Sequence, residues 1–158
     1  YIGNGAPKHF LSWSNNLTWR NFDLSVFFRG TFGFDVFNMR KYGMGLQGCG
    51  TDNVLRSAYL EDKNIRTGGG VISSYFLEDG SFIKLENVTL GYNFTPKNRK
   101  LLDNMRIYLS AKNLFTLTGY SGNDPSIIDV NGIQPGVDSN SAYPTATQLS
   151  LGVTLRFK

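Results

Sequence analysis

The side chains able to do chemistry are few, and most of them gather in stretches that carry no strand period. Glu61 beside Asp62 and Glu78 beside Asp79 pair carboxylates as general acid–base work requires. No nucleophile or metal-ligand cluster accompanies them, so they read as solvated turn residues. Gly43, Gly45 and Gly48 in GMGLQGCG have the spacing of a dinucleotide-binding turn. Such a turn works only between a strand and a helix N-terminus, and neither flanks these glycines, so the stretch reads as a flexible loop. A single cysteine, Cys49, excludes an internal disulfide framework, and a single histidine, His9, argues against zinc. No catalytic, metal or cofactor site emerges, and the chain does not read as an enzyme. The remaining candidates are Tyr42, Tyr59, Tyr75 and Tyr120, in loop stretches, whose rings would stack on sugars while Asn and Asp side chains bind hydroxyls. The same rings would serve equally to pack loops together or to sit where polar and apolar solvent meet.

Strands must position those loops. In residues 11–34, Leu11, Trp13, Leu17 and Trp19 alternate with Ser12, Ser14, Asn16, Thr18 and Arg20. After Arg20-Asn21, the residues Phe22, Leu24, Val26, Phe28, Phe32 and Phe34 alternate with Asp23, Ser25, Arg29, Thr31 and Asp35. That two-residue period marks two strands in a tight hairpin, broken only at Asn15 and Phe27. Val88, Leu90, Tyr92 and Phe94 mark a third strand, with Ile83 and Leu85 upstream in the opposite phase. Either a bulge near Glu86-Asn87 or a position for residues 82–86 beyond the membrane would account for the switch. Met105, Ile107, Leu109 and Ala111 open a fourth strand after a short basic connection, and residues 147–157 form an unbroken fifth. Asn-X-Thr matches at Asn16, Asn87 and Asn93 fall within or at the ends of these strands and read as chance.

Composition agrees with strands and turns. The chain has 158 residues, 14% aromatic and 18% charged, with 18 glycines, enough for one ordinary domain. The net charge of +4 is mild and spread along the chain. Alternation explains the interleaving of Arg20, Arg29, Arg106, Lys112 and Arg156 with aromatic residues better than nucleic-acid binding does. No apolar run reaches the roughly 18 residues of a membrane-spanning helix, so any crossing would use strands. The chain begins at Tyr1 without a signal peptide and reads as a piece of a longer protein.

Residues 36–74 and 119–144 lack the period. Thr51 or Asp52 would cap a short helix in the first, with Val54, Leu55, Ala58 and Tyr59 on one side. With the Arg20-Asn21 turn on the inner side, the five strand directions put both long loops outside and every short connection inside. That is the asymmetry of a bacterial outer-membrane barrel.

At these residues the sequence resembles the C-terminal end of the SusC-like TonB-dependent outer-membrane transporters of Bacteroidetes. The stretches that carry the resemblance are YIGNGAPK, NLTWRNFDLSVFFRGTFG, SSYFLEDGSFIKLENVTLGYNF, MRIYLSAKNLFTLTGYSGNDP and AYPTATQLSLGVTLRF, which cover nearly the whole chain. The resemblance implies an all-β fold: an antiparallel transmembrane β-barrel segment, about five C-terminal strands of a barrel of about 22, with two long extracellular loops. Residues 1–158 would then form the C-terminal part of the barrel domain, without its plug and most of its wall. It further implies TonB-driven uptake of nutrients, oligosaccharides foremost and peptides in some relatives, in the outer membrane of a Gram-negative bacterium. The implied partners are the rest of the barrel and plug, a SusD-like surface lipoprotein, TonB and membrane lipid, with no nucleic acid and no cofactor. In that setting Tyr42, Tyr59, Tyr75 and Tyr120 become the candidate substrate contacts, and lumen-facing charges would need partners that the chain does not contain. The alternative is a soluble β-sandwich carbohydrate-binding module that buries the same apolar face against a second sheet.

Overall fold

The computed structural model describes residues 2–45, 53–60, 72–96, 102–130, 132–139 and 143–157. In chain order the elements are β1 (His9–Trp19), β2 (Phe22–Phe32), β3 (Asp35–Asn38), α1 (Met39–Met44) and α2 (Ser57–Leu60), followed by β4 (Leu77–Asp79), β5 (Phe82–Phe94), β6 (Leu102–Thr118), β7 (Val137–Asp138) and β8 (Gln148–Phe157). They fall into two compact units, one of Tyr1–Phe10, Thr31–Phe82 and Thr118–Pro144, the other of Leu11–Gly30, Ile83–Leu117 and Thr145–Lys158.

The second unit is built on a five-stranded sheet in the order β1-β2-β5-β6-β8, so each long strand lies beside the next in sequence. These are the five strands the alternation predicts. Arg20 makes the β1–β2 turn in the left-handed region, φ 54°, and its guanidinium lies 5.3 Å from the centre of the Trp19 ring. β6 pairs antiparallel with β8 from Leu102↔Phe157 to Lys112↔Gln148, which sets Leu109 opposite Leu151 and Ile107 opposite Val153. The expected polar connection therefore yields residues to the strand: β6 begins at Leu102, because the ladder with β8 extends past an irregularity between Leu102 and Asn104.

One face of this sheet is apolar and uncovered. Trp19 is 67% exposed and Leu151 75%, and Leu11, Trp13, Leu17, Leu90, Phe94 and Leu155 are exposed as well. A sandwich would bury them, so the soluble alternative loses its basis. Rings share the apolar side chains' positions: Trp13 and Phe28 have centroids 5.7 Å apart, and Phe22 and Tyr92 4.9 Å. In β5, Ile83 is exposed at an odd position, whereas Leu90, Tyr92 and Phe94 are exposed at even ones. Residues 82–94 nevertheless form one uninterrupted strand, and Leu85, expected on the same side as Ile83, is buried.

The polar face supplies its own partners. Arg29 Nε donates to Glu86 Oε1 at 2.7 Å. Arg106 Nε donates to Asp23 Oδ1 at 3.1 Å, its Nη2 pairs with Oδ2, and Asn93 Nδ2 donates to the same carboxylate at 2.8 Å. The expectation that these charges find partners only outside the chain is corrected for Arg29 and Arg106. Their counter-charges sit on neighbouring strands, where sequence spacing gives no hint of adjacency. Gly91 leaves room for this cluster, since a Cβ there would lie 2.5 Å from Asp23 Oδ1.

The first unit holds a three-stranded sheet, β4-β3-β7. β3 pairs antiparallel with β4, Val36 opposite Glu78, and parallel with β7, Phe37 opposite Val137. Its core is Phe34, Val36, Phe82, Tyr120 and Ile128, with Val130 packed against it. Two sequence expectations change here. Phe34 does not continue the apolar face of the second strand: Gly33, at φ 73°, ends that run after Phe32, and Phe34 turns into the core at 2% exposure. Likewise the stretch from residue 36 carries order that alternation does not show, namely β3 and α1.

In α2, Ala58 is buried and Tyr59 exposed, so the two do not share the expected side, and Val54 and Leu55 precede the helix. Thr51, Asp52, Gly48, Cys49, Glu61 and Asp62 lie outside the described residues.

Candidate functional site

Within the first unit, α1, β4 and the chain after β6 enclose a cavity of about 540 Å3, lined among others by Asn38, Arg40, Lys41, Glu78, Asp79 and Ser121. Its position follows from local folding. Asn38 ends β3 and caps α1, its Oδ1 accepting from the Lys41 backbone N–H at 2.9 Å, as residues of this type do at helix starts. The cap orients α1 so that Lys41 Nζ reaches Glu78 Oε1 at 3.1 Å and lies 4.6 Å from the centre of the Tyr75 ring.

Glu78 is the hub. Its Oε1 also accepts from Ser121 Oγ at 2.8 Å and from Asn38 Nδ2 at 3.4 Å, and its Oε2 accepts from the Ser121 backbone N–H at 2.8 Å. Burial pushes this carboxyl up, but the Ser121 hydrogen bonds and Lys41 outweigh it and hold the group below the ordinary carboxylate range. Arg40 Nη1 donates to Asn123 Oδ1 at 2.8 Å. Asp79 Oδ1 accepts from the Ser81 backbone N–H at 2.9 Å and from Ser81 Oγ at 2.6 Å. Glu78 and Asp79 therefore differ in role: one is knotted into the fold, the other is an exposed turn carboxylate, as the sequence suggests for both. No group of three or more His, Cys, Asp or Glu is arranged to hold a metal among the described residues.

The four tyrosines do not form a cluster. Tyr120 is buried at 6% exposure and donates from its hydroxyl to Asp138 Oδ2 at 2.6 Å. Burial and that carboxylate push its phenol well above the ordinary tyrosine range. Tyr42 and Tyr75 each pack edge-on against Phe76, at 5.2 Å and 5.3 Å between centroids. Tyr59 alone of the four projects freely, at 67% exposure. The cavity itself is made by residues the sequence reading did not combine: Asn38 and Lys41 come from one stretch and Ser121 from another, 83 residues after Asn38.

No protein-family profile matches the chain. Among curated proteins, the TonB-dependent receptor P3 of Formosa agariphila is 27% identical over 99% of this chain. The TonB-dependent receptor SusC of Bacteroides thetaiotaomicron is 28% identical over 91%. The chain's homologues are SusC-like TonB-dependent receptors. It spans 17% of the length of the first and 14% of the second. A solved structure of the RagAB peptide importer in its closed-closed state superposes on 96% of the chain and 17% of its own, with TM-score 0.77 and 25% identity. The chain thus shares the all-β fold of the segment it matches in that structure. Its relatives are named as receptors and an importer.

Proposed function

We propose that the chain is the C-terminal part of the barrel domain of an outer-membrane TonB-dependent transporter that imports nutrients with a SusD-like surface lipoprotein. The observation that carries this reading is the single five-stranded sheet, apolar and uncovered on one face and ion-paired on the other. Such a sheet makes physical sense as a barrel wall between lipid and a hydrated interior. The likeness to SusC and to RagAB over nearly the whole chain supports it. TonB would act through parts of the protein outside this chain, and the lipoprotein would cover its outer loops.

For cargo, the family resemblance favours an oligosaccharide, contacted by loop tyrosines and Asn or Asp side chains. Tyr59 is the ring best exposed for stacking. A peptide cargo is the second reading, favoured by the likeness to a peptide importer. Deleting the full-length gene in its native organism and following uptake of labelled oligosaccharide and tripeptide pools tests both. Loss of uptake of one pool, restored by the gene and dependent on TonB, is the expected result. Undiminished uptake of both pools counts against the transport reading.

A further inference from the structure

At the β1–β2 turn the sheet presents a cation beside an apolar groove. Arg20 adopts φ 54°, a conformation that Asn and Gly take far more readily than a long side chain does. The turn is held against β5, because the Asn93 backbone N–H donates to the Asn21 carbonyl at 2.7 Å. The Arg20 guanidinium lies 5.3 Å from the centre of the Trp19 ring, and no carboxylate pairs with it among the described residues. Asp23, the acidic residue nearest in sequence, is engaged by Arg106 and Asn93.

Trp19 is also one wall of a groove of about 350 Å3, whose other lining residues are Leu17, Phe22, Leu24 and Leu90. All five are apolar, and Leu17, Trp19, Phe22 and Leu90 are exposed. Three rings stand in a row beside the turn: Trp19 stacks on Phe22 with centroids 6.5 Å apart, and Phe22 meets Tyr92 at 4.9 Å. Leu17 and Leu24 come two residues further from the turn, roughly 7 Å along their strands. From the turn into the sheet the order is cation, aromatic rings, leucines. That is the order of phosphate, interface and hydrocarbon across one leaflet of a bilayer.

We propose that this groove binds one anionic phospholipid, with an acyl chain along Leu17, Leu24 and Leu90 and the phosphate on Arg20. Lipid tails are as apolar as leucine, so seating a chain in the groove does not by itself choose among lipids. Charge does. A zwitterionic headgroup brings its own ammonium to the phosphate, whereas an anionic one leaves the phosphate to the guanidinium, a planar donor suited to it. Short turns lie on the inner side of an outer-membrane barrel, which commits the site to a glycerophospholipid of the inner leaflet. This inference rests on the barrel reading proposed above and adds to it a site selective for one lipid class.

The test uses the full-length protein purified in detergent and an equimolar mixture of phosphatidylglycerol and phosphatidylcholine with identical chains, with bound lipid counted by native mass spectrometry. Lipid A, the anionic lipid of the opposite leaflet, is the competing probe. Phosphatidylglycerol should be retained in preference to both, and the preference over phosphatidylcholine should fall as salt is raised. Arg20→Asn, which suits the left-handed turn, should lower that preference by about fivefold, the effect of one basic side chain near an anionic headgroup. Arg20→Lys should keep most of it. Leu90→Trp, which fills the groove from an exposed position, should lower it comparably with Arg20 still in place. No preference in the wild type, a preference untouched by Arg20→Asn or by Leu90→Trp, or retention of lipid A in place of phosphatidylglycerol overturns the proposal. If the protein inserts into bilayers despite any of these results, the barrel reading stands without this site; failure to insert removes both.

Discussion

Glu78 shows how much one carboxylate can hold when burial and partners act against each other. Because its pKa is lowered in the folded state, its contribution to stability is fully present above the unfolded value near 4.5. It is lost as pH falls through the lower folded value. Hydrogen-exchange protection of the Ser121 amide, which donates to Glu78 Oε2, should therefore hold at neutral pH and fall as the pH drops below about 4.5 in the full-length protein. In Glu78→Gln the protection should be weaker at neutral pH and should no longer depend on pH in that range. A wild-type protection factor that is flat across the acid range would remove Glu78 as the hub. At this scale the sequence was partly legible. It could not show that Glu78 and Asp79, adjacent and chemically alike, occupy different environments, because that depends on Ser121, Lys41 and Asn38 arriving from elsewhere.

Elements were more legible where one solvent faced each side. The alternation of β8 survives intact because every second residue must meet the same medium along the full strand. Leu151 is the clearest of these positions, opposite Leu109 in register and exposed on the apolar face. Leu151→Arg should cost about 2–4 kcal/mol of folding free energy into bilayers if that face meets mid-bilayer lipid. Ser150→Arg, on the opposite face, should cost less. Equal effects of the two substitutions on unfolding in lipid would argue against that orientation. Legibility failed at Phe34. Its apolar type and even position extend the β2 pattern, but Gly33 redirects the backbone, and periodicity carries no record of a left-handed glycine. The small strands β3, β4 and β7 escaped for a related reason: at two to four residues they are too short to show a period.

At the scale of the whole molecule, the five-stranded sheet ends in β1 and β8, each with one neighbour in this chain. Five strands fall short of the roughly eight of the smallest closed barrels, and open edges invite pairing with further strands. The full-length protein extracted from native membranes is expected to require detergent and to migrate faster on gels when unheated. A full-length protein that stays monomeric and soluble without detergent would contradict the membrane reading of the apolar face. The five strands were legible as alternating runs, and in the structure consecutive ones lie side by side.

The knot at Glu78 also sets an order of events. Its two strongest neutral donors come from Ser121, 43 residues later in the chain, while its cation, Lys41, comes 37 residues earlier. A chain halted anywhere before Ser121 would hold the Lys41–Glu78 pair without the donors that make its burial tolerable. Completion of the first unit therefore waits on the chain as far as Ser121. The packing around Glu78 is complete only once residues 83 positions apart, from Asn38 to Ser121, have come together.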